Sequence, residues 1–253
     1  MDLSHTLDRT VVIQAAPETV FRFFQESPKW ASWWGAGSTI DPQPGGKVYI
    51  RHPNGIETVG EVVEIVPPER FVFTYGYASG NPIPPGASRV TIRLKPDPAG
   101  TRLRLLHEFS DPDVRDQHVQ AWRFQLSLFS NAVADEVFAD AAALVDSWFE
   151  AWADTNPESR NDTFAGIAAP TITFRNRYSA LEGLSDLTAH VAAAQRFMPG
   201  VRLERKGDVR HCQGVVLADW VSRNSDGQEL TAGSSVFVFG PDRKFTAVTG
   251  LAR

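Results

Sequence analysis

The chain has 253 residues, which is long for one domain and natural for two. Its hydrophobic content of 42 % supports a packed core throughout, and a net charge of −5 with no strongly basic half argues against a nucleic-acid partner, because phosphate binding needs a basic stripe. The single cysteine, Cys212, excludes an internal disulfide and a cysteine-rich metal site. The start, MDLSHTLDRTVVIQ, has neither a cationic n-region nor an apolar h-region, and no apolar run approaches membrane-spanning length. The expectation is a cytoplasmic protein with no membrane partner.

In chain order, TLDRTVVIQA reads as a strand, and Pro17 opens a short helix with Val20, Phe21 and Phe24 at helical spacing. Ser27-Pro28 starts a second helical turn that carries Trp30, Trp33 and Trp34. Strands follow over Lys47–His52, Thr58–Val66, Phe71–Tyr77, Ser88–Lys95 and Thr101–Phe109, separated by turn signals such as Asn54-Gly55 and GNPIPPG. Val119, Trp122, Leu126, Phe129 and Val133 then recur at spacings of three and four, which predicts a long helix. Strand, helices, strand meander and long helix together make an α+β domain with an antiparallel sheet.

The pattern then restarts, which sets a boundary near residue 136. Val137, Ala141, Leu144 and Trp148 mark another amphipathic helix. A short helical segment near Phe164, a strand TITFRN, and a helix carrying Leu184, Leu187, Val191, Ala194 and Met198 come next. Four strands close the chain, over Arg202–Arg210, Gly214–Ser222, Glu229–Phe239 and Phe245–Leu251. The second half is thus helices followed by a curved antiparallel sheet.

The first half resembles the SRPBCC (START/birch-pollen-allergen-like) superfamily. Within it, the similarity is to proteins named for homology to the activator of the heat-shock-protein-90 ATPase. The carriers are WASWWGAG, DPQPGGKVYI, GEVVEIVPPERFVFTY, SRVTIRLKPDPAGTRLRLLHEF and HVQAWRFQLSLF, in that order. The second half resembles SnoaL-like members of the nuclear-transport-factor-2-like superfamily, through ALVDSWFEAWADTNPESR, FRNRYSALEGLSDLTAHVAAAQRFMPGVRLERKGDV and the closing VTGL. The resemblances imply a helix-grip domain over 1–135, with a sheet wrapped around a long C-terminal helix, and a cone-shaped α+β domain over 136–253. Each fold encloses a cavity, and each hosts many functions.

Several residues then stand out as ligand-contacting candidates. On a helical turn, Trp33 and Trp34 point about 100° apart, so the three tryptophans are not expected to enter one core. Trp33 and Trp34 read either as a lid at a cavity mouth, where the resembling family places this turn, or as packing of a short helix. Phe71, Phe73, Tyr75 and Tyr77 share one sheet face by their period of two, and line either a pocket wall or a core. His107 continues the face of Leu103 and Leu105, and either orients a polar ligand group or bonds a backbone carbonyl. Trp122, on the long helix, is grouped with them. In the second half, Ile172, Phe174 and Asn176 share parity. The resemblance implies a pocket-facing aspartate where this chain has Asn176, and an amide cannot take a substrate proton. Tyr178, His190, Trp220 and Ser235 are the further pocket candidates, with His190 and Trp220 equally readable as a solvated residue and a wall residue. No catalytic residue is assigned.

His211-Cys212 has neither metal-ligand spacing nor a fixed catalytic arrangement, and no HExxH, GxSxG or GxGxxG occurs. No metal and no cofactor is expected. The functional expectation is binding of a small hydrophobic or aromatic molecule in internal cavities. The alternatives are a chaperone-associated interaction module, and a cofactor-independent isomerase, cyclase or hydrolase in the C-terminal half. Homodimerisation through that half is the expected self-association.

Overall fold

In the computed structural model, which describes residues 2–253, the alternation along Ser88–Lys95 becomes a strand with Val90, Ile92 and Leu94 buried and Arg89, Arg93 and Lys95 exposed. That strand, β6 (Ser88–Asp97), sits inside a seven-stranded antiparallel sheet with β1 (His5–Ile13), β2 (Thr39–Ile40), β3 (Lys47–Arg51), β4 (Glu57–Val66), β5 (Arg70–Tyr77) and β7 (Gly100–Phe109). The strand order is β1-β7-β6-β5-β4-β3-β2, with every pair antiparallel.

Two short helices, α1 (Pro17–Arg22) and α2 (Ser27–Trp34), follow β1, and each has proline in its first turn, where the missing N–H removes no helical bond. The long helix α3 (Pro112–Val137) buries Trp122, Leu126, Phe129 and Val133, the face its sequence spacing marks. Phe129 stacks on Phe24 at 5.1 Å and meets Trp33 edge-on at 4.8 Å, so α3 and the α1–α2 segment share one aromatic core with the sheet. These elements form a first unit that ends at Glu136, and the second unit is Val137–Arg253.

The second unit starts with α4 (Ala141–Ala153), whose buried side includes Val145, Trp148 and Phe149. Helix α5 (Pro157–Ile167) is capped by Asn156, whose side chain accepts from the N–H groups of Glu158 and Ser159. Then come β8 (Ala168–Arg175), β9 (Ala180–Glu182), α6 (Leu184–Phe197), β10 (Arg202–Arg205), β11 (Arg210–Cys212), β12 (Val215–Arg223), β13 (Glu229–Phe239) and β14 (Phe245–Ala252). The sheet order is β10-β12-β13-β14-β8-β9, and β11 also pairs with β12.

Three expectations need correction. The second sheet is not wholly antiparallel, because β14 runs parallel to β8, a pairing between strands distant in sequence that no local pattern encodes. The strand expected over Arg202–Arg210 is broken into β10 and β11, with Gly207 at φ +76° between them. Val137 ends α3 instead of beginning the next helix. No helix among the described residues is long and apolar enough to cross a membrane.

Gly35 closes α2 at φ +147°, and a Cβ at this position would lie 2.3 Å from the Arg51 carbonyl oxygen. The end of α2 is therefore held against β3 at a distance only glycine allows. Gly35→Ala should destabilise the first unit by about 2 kcal/mol or more, read as a lower denaturant midpoint at unchanged m-value.

Candidate functional site

The second unit holds a cavity of about 490 Å³, within the range of small-molecule sites. Its apolar wall starts on α4, where Trp148 and Trp152 are one turn apart and therefore neighbours on the helix. Phe174 from β8 meets them, with its ring 5.5 Å from Trp152 and 6.0 Å from Trp148. Leu203 from β10 and Trp220 from β12 add to the lining.

The position of Trp220 depends on its cross-strand partner. Gly233 lies directly opposite on β13, and a Cβ there would sit 2.4 Å from the indole Cζ2. The missing side chain lets the ring lie across β13, and its N–H donates to Ser235 Oγ at 3.0 Å. Ser235, although buried, lines the cavity. Asn176 is placed just past β8, in a turn: its backbone N–H donates to Ser179 O at 2.9 Å, and its side-chain oxygen accepts from Tyr178 N–H at 2.8 Å. One lone pair of the carboxamide oxygen is thus engaged, which leaves Asn176 its NH₂ donors and one acceptor site at the cavity it lines. Tyr178 also lines the cavity but is 82 % exposed, which puts it at the rim.

His190 is not among the lining residues. Its imidazole is 5.8 Å from the Trp152 ring and 6.0 Å from Phe174, with Nε2 3.3 Å from Ser179 Oγ, and burial lowers its pKa. The lining contains Arg177 and Arg253 but no carboxylate and no histidine among the described residues. No cluster of His, Cys, Asp and Glu that could hold a metal ion occurs among the described residues.

Sequence reasoning missed the second layer. Arg160 is the sole buried Lys, Arg, Asp or Glu among the described residues. Its Nη1 donates to Gln195 Oε1 at 2.9 Å and to Asp154 O at 3.4 Å, a cation at the C-terminal end of α4. Gln195 in turn donates to Trp152 O at 3.0 Å and Asp154 O at 2.7 Å, which fixes the end of α4 that carries Trp152. Trp152 Nε1 is buried without a hydrogen-bond partner on this same wall. The Trp148–Trp152 spacing was the available signal for this wall.

The first-unit candidates come together as one buried cluster of ring contacts. Trp30, Trp33 and Trp34 are 0, 2 and 4 % exposed, which overturns the expectation that the three cannot share one core. The reason is that α2 is covered on two adjacent faces. Trp30 meets Phe71 and Phe73 of the sheet at 6.2 and 5.8 Å, while Trp33 and Trp34 meet Phe129 and Trp122 of α3 at 4.8 and 5.6 Å. Gln125 on α3 also donates to Trp33 O. Trp30 donates its N–H to Tyr49 O, but the Trp33 and Trp34 N–H groups have no partner. Phe71, Phe73 and Tyr75 share the inward face as their spacing predicts, and burial pushes the Tyr75 hydroxyl pKa up.

His107 is fully buried, and its partners are side chains rather than a backbone carbonyl. Trp122 Nε1, which can only donate, gives its hydrogen to Nδ1 at 2.9 Å. Ser88 Oγ donates to Tyr75 O at 2.8 Å, so at 2.9 Å it accepts from His107 Nε2–H. The chain of bonds fixes a neutral Nε2–H imidazole, and burial with nearby His118 holds its pKa well below the usual value.

The family described as Activator of Hsp90 ATPase homolog 1-like protein matches residues 14–134, and the N-terminal half resembles it. No curated protein matches in sequence. Among solved structures, the chain is similar to a SnoaL-like family protein from Agrobacterium tumefaciens, with 19 % identity over 44 % of this chain and 96 % of that one, at a TM-score of 0.43. It is also similar to the AHSA1 protein from Silicibacter pomeroyi, with 24 % identity over 52 % of this chain and 99 % of that one, at a TM-score of 0.43.

The His107 arrangement predicts an acid response. Well above pH 6.5 the imidazole is neutral in both folded and unfolded chains and contributes no pH dependence. Below it the unfolded chain takes up a proton that the native core refuses, so stability falls with pH until the folded pKa is reached. Between pH 7.5 and 5.5 His107 therefore costs stability as the pH falls, and His52 and His118, both also lowered, act in the same direction. Nitrogen-15 NMR should show an Nε2–H tautomer that does not titrate across this interval; an ordinary titration near pH 6.5 would refute the bonding scheme.

Proposed function

We propose that this chain binds a small, largely apolar molecule in the second unit, and that the ligand presents one hydrogen-bonding oxygen to Asn176 and the Ser235–Trp220 pair. The single observation that carries this reading is the 490 Å³ cavity with Trp148, Trp152, Phe174 and Trp220 in its wall and most of its lining surface apolar. On this reading 136–253 is a SnoaL-like cone domain. The first unit, 1–135, is a helix-grip domain, supported by the seven-stranded sheet and the helix of 26 residues whose aromatic side chains meet it. Its candidates Trp33, Trp34, Phe71, Phe73, Tyr75, His107 and Trp122 then serve a filled interior rather than an open chamber.

Binding is favoured over turnover because the chamber lining supplies no general base. An amide takes no proton from a substrate, and a guanidinium group offers only donors. His190, neutral above pH 6.5, touches two lining rings without lining the chamber itself. An isomerase-like role would need that imidazole to reach a substrate.

The test is titration of the full chain with 2-naphthol and with naphthalene, followed by quenching of tryptophan fluorescence. Both should bind. Asn176→Leu should weaken 2-naphthol about tenfold, by loss of one hydrogen bond, and leave naphthalene unchanged. Ala194→Phe, which fills the chamber from α6, should abolish both. Unchanged affinity for both probes in Ala194→Phe would place the ligand elsewhere.

A further inference from the structure

The solvent face of the first sheet carries an arrangement the chamber does not explain. Arg70 on β5 lies directly opposite Arg93 on β6, and Arg93 lies directly opposite Arg104 on β7. Three like charges in one cross-strand row are destabilising, because directly opposed side chains are neighbours. The next row reads Glu64, Val72, Thr91, Leu106, Asp8 across five strands. Its two terminal acids neutralise the two outer arginines: Glu64 pairs with Arg70, and Asp8 accepts from Arg104 Nε at 3.0 Å. The central arginine, Arg93, has no ion pair among the described residues. Neither has Lys95, two residues along the same strand face, while Arg89 and Arg102 are paired with Glu108 and Asp97. The face therefore keeps two unpaired cations at its centre, on a chain whose net charge is −5.

A second feature meets them there. Strand β4 has a bulge between Val62 and Glu64 that leaves Val63 unpaired and 50 % exposed. Val63, Val72 and Leu106 line an open groove of about 430 Å³ together with Arg70, Arg93 and Arg104. A second hollow of about 510 Å³ continues it past Arg93 and Lys95. Guanidinium groups thus flank an aliphatic floor.

We infer that this sheet face docks a peptide segment in which carboxylates alternate with aliphatic side chains, with Arg93 and Lys95 taking the carboxylates and the Val63–Val72–Leu106 floor taking the aliphatic groups. Charge complementarity selects the partner. A nucleic acid fits less well, because neither hollow has an aromatic ring for base stacking. This docking face is independent of the chamber reading.

The experiment is fluorescence anisotropy of the full chain with a short fluorescein-labelled peptide of alternating glutamate and leucine. Saturable binding that weakens as NaCl is raised is expected. Arg93→Glu/Lys95→Glu should weaken it by about tenfold or more, and Arg93→Gln by less. Arg196→Glu, an exposed charge reversal in the second unit, should leave it unchanged. Thermal melting of each variant verifies that these exposed substitutions leave the fold intact. Equal binding by the double variant, or equal binding of a lysine–leucine peptide, overturns the inference. Tighter binding of a single-stranded oligonucleotide than of the peptide overturns it in favour of a nucleic-acid face.

Discussion

Each indole in this chain must place a large apolar ring and one N–H that costs about 1–3 kcal/mol if buried unbonded. How the seven tryptophans meet that demand decides what each unit is. In the first unit, Trp30 reaches a strand carbonyl and Trp122 reaches a histidine, and those two bonds tie α2 and α3 to the sheet. Trp33 and Trp34 leave their N–H groups unpaired, and ring contacts with Phe129 and Trp122 offset that cost. The result is a buried aromatic cluster between α2, α3 and the sheet. In the second unit, Trp220 lies across a glycine and bonds a serine, while Trp148 and Trp152 turn one helix face into a wall. These rings surround space instead of filling it.

His107 shows how the solid core constrains chemistry. A histidine in a pocket invites a catalytic reading, yet both of its nitrogens are occupied by Trp122 and Ser88, and the Ser88 hydroxyl is committed to Tyr75. A group with no unused donor or acceptor orients its neighbours and moves no proton. Asn176 is the converse case. Its oxygen accepts from its own turn, so a residue that sequence reasoning placed within a strand is held in a turn at the strand's end with its NH₂ group to donate.

Much of the architecture was legible because its patterns are local. The period of two along β5 and β6 and the spacing of Trp122, Leu126, Phe129 and Val133 translate directly into buried faces. Asn176, Tyr178, Trp220 and Ser235 do line one chamber, although Trp220 and Asn176 are far apart in sequence. What was not legible depends on distant pairing. The parallel contact of β14 with β8 has no local signature. The burial of all three clustered tryptophans needs α3 to arrive from almost a hundred residues away, as the Gln125 bond to Trp33 shows. Arg160 was overlooked because a lone arginine in a polar segment reads as solvated until α4 and α6 close over it.

The central claim is a filled first unit and a hollow second one, with the ligand chamber in the latter. Crystals of the full chain pressurised with xenon test it directly, because xenon enters apolar cavities without needing a hydrogen bond. The account predicts anomalous scattering from xenon beside Trp152, Phe174 and Trp220, and none among Trp33, Trp34 and Trp122. Xenon seated among the first-unit tryptophans, with the second-unit chamber empty, would contradict it.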